Sequence, residues 1–243
     1  MTNTHFSRQP TSCGPAPKDS SRVRVQNTIR VINNLRGGED IANYSLSARK
    51  ELASSDTVDI VLGAAADKIE GVPKLALLVL STTFRQYIEE KPEAAEIKVV
   101  SASIHLPSVA ILMNWVKDVA SSKTHYIIKV PVPATLVDKV KLIHAAHILG
   151  MSRYIDIVIK RFKEEVRSQI PRPEDCAEFE QYAISADHEI IKAVGERFGY
   201  LLRTYKFPGD RKMLTNFLAR HEIFDKAVRD ADARSLAKRA TQV

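Results

Sequence analysis

Pro73-Lys-Leu-Ala-Leu-Leu-Val-Leu-Ser-Thr-Thr-Phe84 is the densest apolar run in the sequence. Proline at the head of a helix costs no hydrogen bond, because the first amides of a helix lack partners anyway. A helix is therefore expected to open at Pro73. Ser81, Thr82 and Thr83 supply a break and a cap for a second amphipathic turn, Phe84 to Glu90. Between them Leu75 to Leu80 is apolar without a gap, whereas a surface helix needs one apolar stripe. Leu77, Leu80 and Phe84 share a face; Leu75 and Val79 point elsewhere. A run this short cannot cross a bilayer, so the second face must meet more protein, in the same fold or in another copy of it.

Working outward, Val58 to Leu62 reads as a buried strand from its β-branched content. Leu46 to Ser54 precedes it as a short helix, and Ala64 to Gly71 follows as a turn and a weak second strand. Glu96 to Val100 alternates and reads as a third strand. Pro107 opens a helix with Val109, Leu112, Met113, Val116 and Val119 at helical spacing. Tyr126 to Val130 reads as a further strand, confined to a sheet edge by Pro131 and Pro133. Ala134 to Gly150 is a central helix, apolar on several sides, with Gly150 suited to its C-terminal cap. Ile155, Val158, Phe162 and Val166 stripe the next helix. Pro171 and Pro173 mark a boundary, beyond which the pattern is helical: Ile190 to Leu202 is one strong helix, Phe207 to Asp210 a turn, and two helices follow, fraying from Leu236.

The spaced residues Asp59, Pro73-Lys74, Leu77, Ser81 and Phe84, together with Ala145-Ala146-His147-Ile148-Leu149-Gly150-Met151, resemble the signature of the BTB/POZ domain family over roughly residues 46 to 168. The chain departs from it at Pro73, where the family has histidine; divergent, fungal-like members are similar there. The resemblance implies an α+β fold: a BTB/POZ-like small mixed sheet wrapped by helices, then an all-helical C-terminal extension. The expected division is a basic arm over 1–40, the BTB/POZ-like domain over 41–170 and the extension over 171–243. The resemblance also implies a two-fold interface from the first strand and first helix, here Val58, Asp59, Ile60, Lys74, Leu75, Leu78 and Val79. Leu77, Ser81, Phe84, Ala145, Ala146, Leu149 and Gly150 form the core signature. The implied function is that of a homodimeric, non-enzymatic protein-binding module. It would serve as a substrate adaptor of a cullin-type ubiquitin ligase or as a scaffold of a nuclear or transcriptional complex. No cullin-contact motif maps onto particular residues.

Composition sets outer bounds. The 243 residues carry 44% hydrophobic side chains, enough for a packed core, and a net charge of +7. Residues 1–55 hold eight Lys and Arg against four Asp and Glu; residues 56–151 hold ten of each. The basic excess therefore lies on the flanks. Residues 1–40, rich in Ser, Thr, Pro, Gly and Asn, read as a disordered arm, although Ile29, Val31, Ile32 and Leu35 could order on a partner. The N-terminal flank, of charge +4 over residues 1–55, supports weak, sequence-indifferent nucleic-acid binding at most; a chromatin-associated protein using the arm within it is the alternative function. Two cysteines, Cys13 and Cys176, make no disulfide framework. The first residues lack the apolar core of a signal peptide. The expectation is an intracellular chain, cytoplasmic or nuclear, with no membrane partner.

The chemical candidates reduce to ordinary structure. His144 and His147 have the i, i+3 spacing of a ligand pair, but no Cys or carboxylate motif accompanies them, and they read as core or groove histidines. Cys176 lies among Glu174, Asp175, Glu178 and Glu180, which disfavour a thiolate. Glu89-Glu90 and Glu164-Glu165 are adjacent in sequence and so do not face each other on a helix. Arg153, Lys160, Arg161, Lys163 and Arg167 read as a solvated face with helical ion pairs. Phosphate-loop, serine-elbow and zinc-protease motifs are missing from the sequence. No enzyme, cofactor or metal is expected.

Overall fold

The computed structural model describes residues 20–54, 56–63, 67–99, 104–183, 188–207 and 210–241. The first helix, α1 (Ser21–Asn34), begins where Ser20 accepts the Val23 amide at 3.4 Å. Val25, Thr28 and Ile32, at helical intervals, are buried on it. This corrects the expected arm: over residues 21–34 it is a helix laid on the core, since a stripe of Val25, Ile29 and Ile32 is enough to seat one helix despite a polar composition. Residues 1–19 of that arm, Cys13 among them, lie outside the described residues. Asp40 caps a short 3-10 turn, Ile41–Asn43, and Ser45 caps α2 (Leu46–Ala53) by accepting the Ala48 amide at 3.2 Å.

The sheet has three strands in the order β2-β1-β3: β1 (Thr57–Leu62), β2 (Asp67–Pro73) and β3 (Glu96–Val99). Strands β1 and β2 are antiparallel, with an irregularity between Val58 and Ile60; β1 and β3 are parallel, Ile60 facing Ile97. Alternation sends Val58, Ile60 and Leu62 inward. Gly71 holds φ +67, a conformation natural to glycine, and its amide donates to the Asp59 carboxylate at 2.8 Å.

Pro73 stands at the N-cap of α3 (Lys74–Leu80), every residue of which is buried. The helix is closed in by α1, α2, β2, α4 (Thr82–Glu90) and α5 (Leu106–Ser121). Helix α5 has Pro107 in its first turn and buries Trp115, whose indole N–H donates to the Ile128 carbonyl at 2.7 Å. Tyr126 to Val130, expected as an edge strand, joins no sheet among the described residues, and Tyr126 is 85% exposed. The reason is partly local and partly tertiary. Pro131 and Pro133 carry no amide donors, while side chains from other elements take one carbonyl of the segment and the one just before it: Trp115 donates to Ile128, and Arg49 to His125 at 3.3 Å.

Helices α6 (Leu136–Ile148) and α7 (Asp156–Ser168) complete the layer beside α5, joined through a 3-10 turn, Ser152–Tyr154. Beyond Pro171 come α8 (Pro173–Tyr182), α9 (Glu189–Arg203), α10 (Arg211–Leu218) and α11 (Glu222–Ala240). The hydrophobic core runs on across that proline: Phe162 of α7 meets Phe179 of α8 edge to face at 5.6 Å, both fully buried. A Cβ at Gly195 would stand 2.7 Å from the Ala227 Cβ, so this glycine lets α9 and α11 pack closely. Helix α11 continues to Ala240 rather than fraying from Leu236.

Candidate interaction surface

The two halves of the signature read in the sequence, some 65 residues apart, meet at one joint. Ser81 is fully buried between α3 and α4. Its hydroxyl accepts the Phe84 amide at 3.0 Å, capping α4, and donates to the Leu149 carbonyl at 2.5 Å. The Thr82 amide donates to the Gly150 carbonyl at 3.4 Å, and Thr83 Oγ1 to the Ile148 carbonyl at 2.8 Å. The last turn of α6 is thereby stitched to the first turn of α4, satisfying carbonyls that a helix end leaves free. Gly150 has φ +64, and a Cβ there would sit 1.9 Å from Thr82 Oγ1, so both backbone and space require glycine. Leu77, Phe84, Ala145, Ala146 and Leu149 are buried around this joint.

The residues assigned to a partner interface are placed differently. Val58, Ile60, Lys74, Leu75, Leu78 and Val79 are buried within the protomer. Asp59 is half-buried; its carboxyl, ion-paired to Lys68 at 2.9 Å and accepting the Gly71 amide, is held below the usual carboxylate range. The second apolar face of α3 is covered by α1 of the same chain. Lys74 marks that seam: its Nζ donates to the Pro92 carbonyl at 2.8 Å and to Ser21 Oγ at 3.4 Å. Burial lowers its pKa.

A second polar joint ties the segment after α1 to the core. Glu39 pairs with Arg85 at 2.8 Å and with Arg153 at 2.9 Å. Arg85 Nε meanwhile donates to the Leu78 carbonyl at 2.7 Å, at the end of α3. The Arg85 guanidinium holds the Glu39 carboxyl below its ordinary pKa. Tyr154 donates to the Glu39 carbonyl at 3.0 Å and accepts the Ile41 amide at 3.2 Å; burial raises its phenol to about 12. The sequence reading placed Glu39 in an arm and gave no role to Arg85; the adjacent Gly37-Gly38 and Asp40 were the available turn signal.

Among the described residues the chemical candidates are engaged in ordinary contacts. His144 Nδ1 donates to the Tyr182 carbonyl at 3.0 Å. His147 faces the His188 ring at 5.7 Å. The Cys176 thiol is fully buried, and burial, with Asp175 beside it, pushes its pKa upward, away from thiolate. Among the described residues no cluster of three His, Cys, Asp or Glu could hold a metal ion, and no helix is long and apolar enough to cross a membrane. On α7, Arg161 pairs with Glu164 at 3.1 Å, whereas Lys163 reaches across to Glu189 of α9 at 2.8 Å. Comparison with protein-family models, curated proteins and solved structures returned no match.

Proposed function

We propose that the chain is a non-enzymatic protein–protein interaction module of the BTB/POZ type, acting as an adaptor or scaffold. The observation that carries this reading is the joint between Ser81 and Gly150, because it gives a structural task to both halves of the sequence signature. The element order supports it as well: Asp59 on β1, then the helix pair α3 and α4 meeting at Ser81, then α6 closing at Gly150. A cullin-type ligase adaptor is the first job to test under this reading, a nuclear scaffold the second.

The test is capture of partners by the full-length chain, followed by reconstitution from purified components, with a purified cullin N-terminal domain as the first candidate. A protein bound stoichiometrically at micromolar concentration supports the module. A chain that binds no protein but recognises a nucleic acid sequence-selectively at physiological salt overturns it. Self-association through α3 is part of the same proposal and needs α1 to leave its seat. Light scattering is expected to give a dimer for a chain beginning at residue 40, and a monomer for the full chain.

A further inference from the structure

The cations of α7 were read from the sequence as a solvated face, but two of them line a groove. Lys163 and Arg167, one helical turn apart, form one wall; Lys192, Ala193, Arg197 and Tyr200 of α9 contribute the other. The groove has a volume of about 590 Å³. Two carboxylates also line it, and both are already engaged: Glu189 by Lys163 at 2.8 Å, and Glu196 by Arg234 of α11 at 3.4 Å. Arg167, Lys192 and Arg197 have no ion-pair partner among the described residues. The Arg197 guanidinium lies over the Tyr200 ring at 5.8 Å, and its Nε is buried without a hydrogen-bond partner. The groove thus presents three unmatched positive charges beside Ala193 and an exposed aromatic ring.

We propose that this groove between α7 and α9 binds an acidic peptide segment of a protein partner. The proposal rests on the reading of the chain as a protein-interaction module and names the chemistry of what one surface of that module takes. Charge complementarity selects an anion. The size of the site and its two carboxylates select a peptide over a nucleic acid. From Lys192 to Arg197 is about 8 Å along the helix axis, so roughly three phosphates could be neutralised at once. With a salt slope of about −0.9 per neutralised phosphate, duplex binding through so few contacts would fade at physiological salt. A peptide can set Asp or Glu on the cations, pass its amides by Glu189 and Glu196, and lay an aliphatic side chain on Tyr200.

Fluorescence anisotropy tests this with the full-length chain and a short fluorescein-labelled peptide of Asp, Glu and Leu. Its Asn, Gln and Leu counterpart and a single-stranded oligonucleotide serve as comparison probes. The acidic peptide is expected to bind more tightly than either, and to weaken as salt rises. The double charge reversal R167E/K192E is expected to weaken it about tenfold or more, since two attractions become repulsions. A control with the same change in net charge, K98E/K123E, alters exposed lysines that do not line the groove, and is expected to leave binding within about twofold. Unfolding midpoints of both variants check that the fold is intact. Equal losses in the two variants would reduce the effect to net charge and overturn the proposal; so would tighter binding of the oligonucleotide. A groove variant that binds the peptide as the parent does, while still binding its captured protein partner, sinks the groove and leaves the module standing.

Discussion

Replacing Ser81 by alanine removes one oxygen that serves two elements. The first loss is the cap of α4, the 3.0 Å bond from the Phe84 amide; such caps contribute about 1 kcal/mol, ranging over roughly 0.5–2. The second is the donor to the Leu149 carbonyl. Ser81 is fully buried and Leu149 nearly so, and a buried acceptor left without its partner costs about 1–3 kcal/mol. Together the expected destabilisation is about 2–4 kcal/mol, or roughly 4–16 °C in melting temperature for a chain of this size. The assay is urea unfolding followed by the fluorescence of Trp115, the single tryptophan, which is 2% exposed in the folded state. Thr83→Val is the matched control. It also deletes a hydroxyl donor to the end of α6, the 2.8 Å bond to Ile148, but at an exposed site. Water can replace that bond, so its cost should stay under about 1 kcal/mol. A Ser81→Ala cost below about 1 kcal/mol, or one no larger than that of Thr83→Val, would refute the joint as a stabilising element.

Phe84→Ala, at a buried aromatic, should cost about 3–5 kcal/mol in the same assay; a near-neutral result would remove Phe84 from the core. Gly150→Ala should destabilise by about 1–2 kcal/mol for its left-handed backbone alone, plus whatever Thr82 loses in moving aside, and calorimetry would show it as a lowered melting temperature. Glu39 titrates below its ordinary value of 4.5 in the folded state, chiefly through Arg85. Its contribution is therefore present above about pH 4.5 and lost as pH falls through the lower folded pKa. Glu39→Gln should flatten that part of the stability–pH curve, and a curve unchanged in shape would show that the pairing with Arg85 and Arg153 adds nothing. The double variant V25D/I32D, which puts two charges under α1, should release that helix and raise the molar mass seen by light scattering; a variant that stays a monomer would remove α3 as a contact face.

The sheet and the helix sequence were legible because their signals are local. Val58, Ile60 and Leu62 alternate, Pro73 and Pro107 stand at helix starts, and Ser81 caps α4 with its own hydroxyl. The strand expected at Tyr126 was not legible as a loop, because what decides it is remote: Trp115 and Arg49 take carbonyls that a ladder would need. Helix α1 was hidden by the polar composition around it. Its stripe of Val25, Ile29 and Ile32 is short, and its value depends on α3 having a bare face, which only the tertiary arrangement reveals. The groove between α7 and α9 was half legible: the i, i+4 row of Lys163 and Arg167 is in the sequence, but a row of cations becomes a site only when a second helix supplies the facing wall.

The surplus apolar face of α3 led to the expectation of a second copy, and the structure supplies α1 in its place. The competition between these two occupants is unequal. Helix α1 is tethered to α2 through residues 35–45, and a short tether gives an effective concentration in the millimolar range. A second copy at micromolar concentration must therefore bind about a thousandfold better to displace it. The tether is also not free: Glu39 is held between Arg85 and Arg153, and Tyr154 grips the backbone at Glu39 and Ile41. Each contact lowers the entropy lost when α1 seats itself and so widens the gap. Lys74 adds to the same side, since its buried ammonium donates to Ser21 of α1 as well as to the Pro92 carbonyl. A surface that looks made for self-association is thus closed by the chain's own helix, which leaves groups that remain exposed, the α7–α9 cations among them, as the ones a partner can reach without first unfolding part of the molecule.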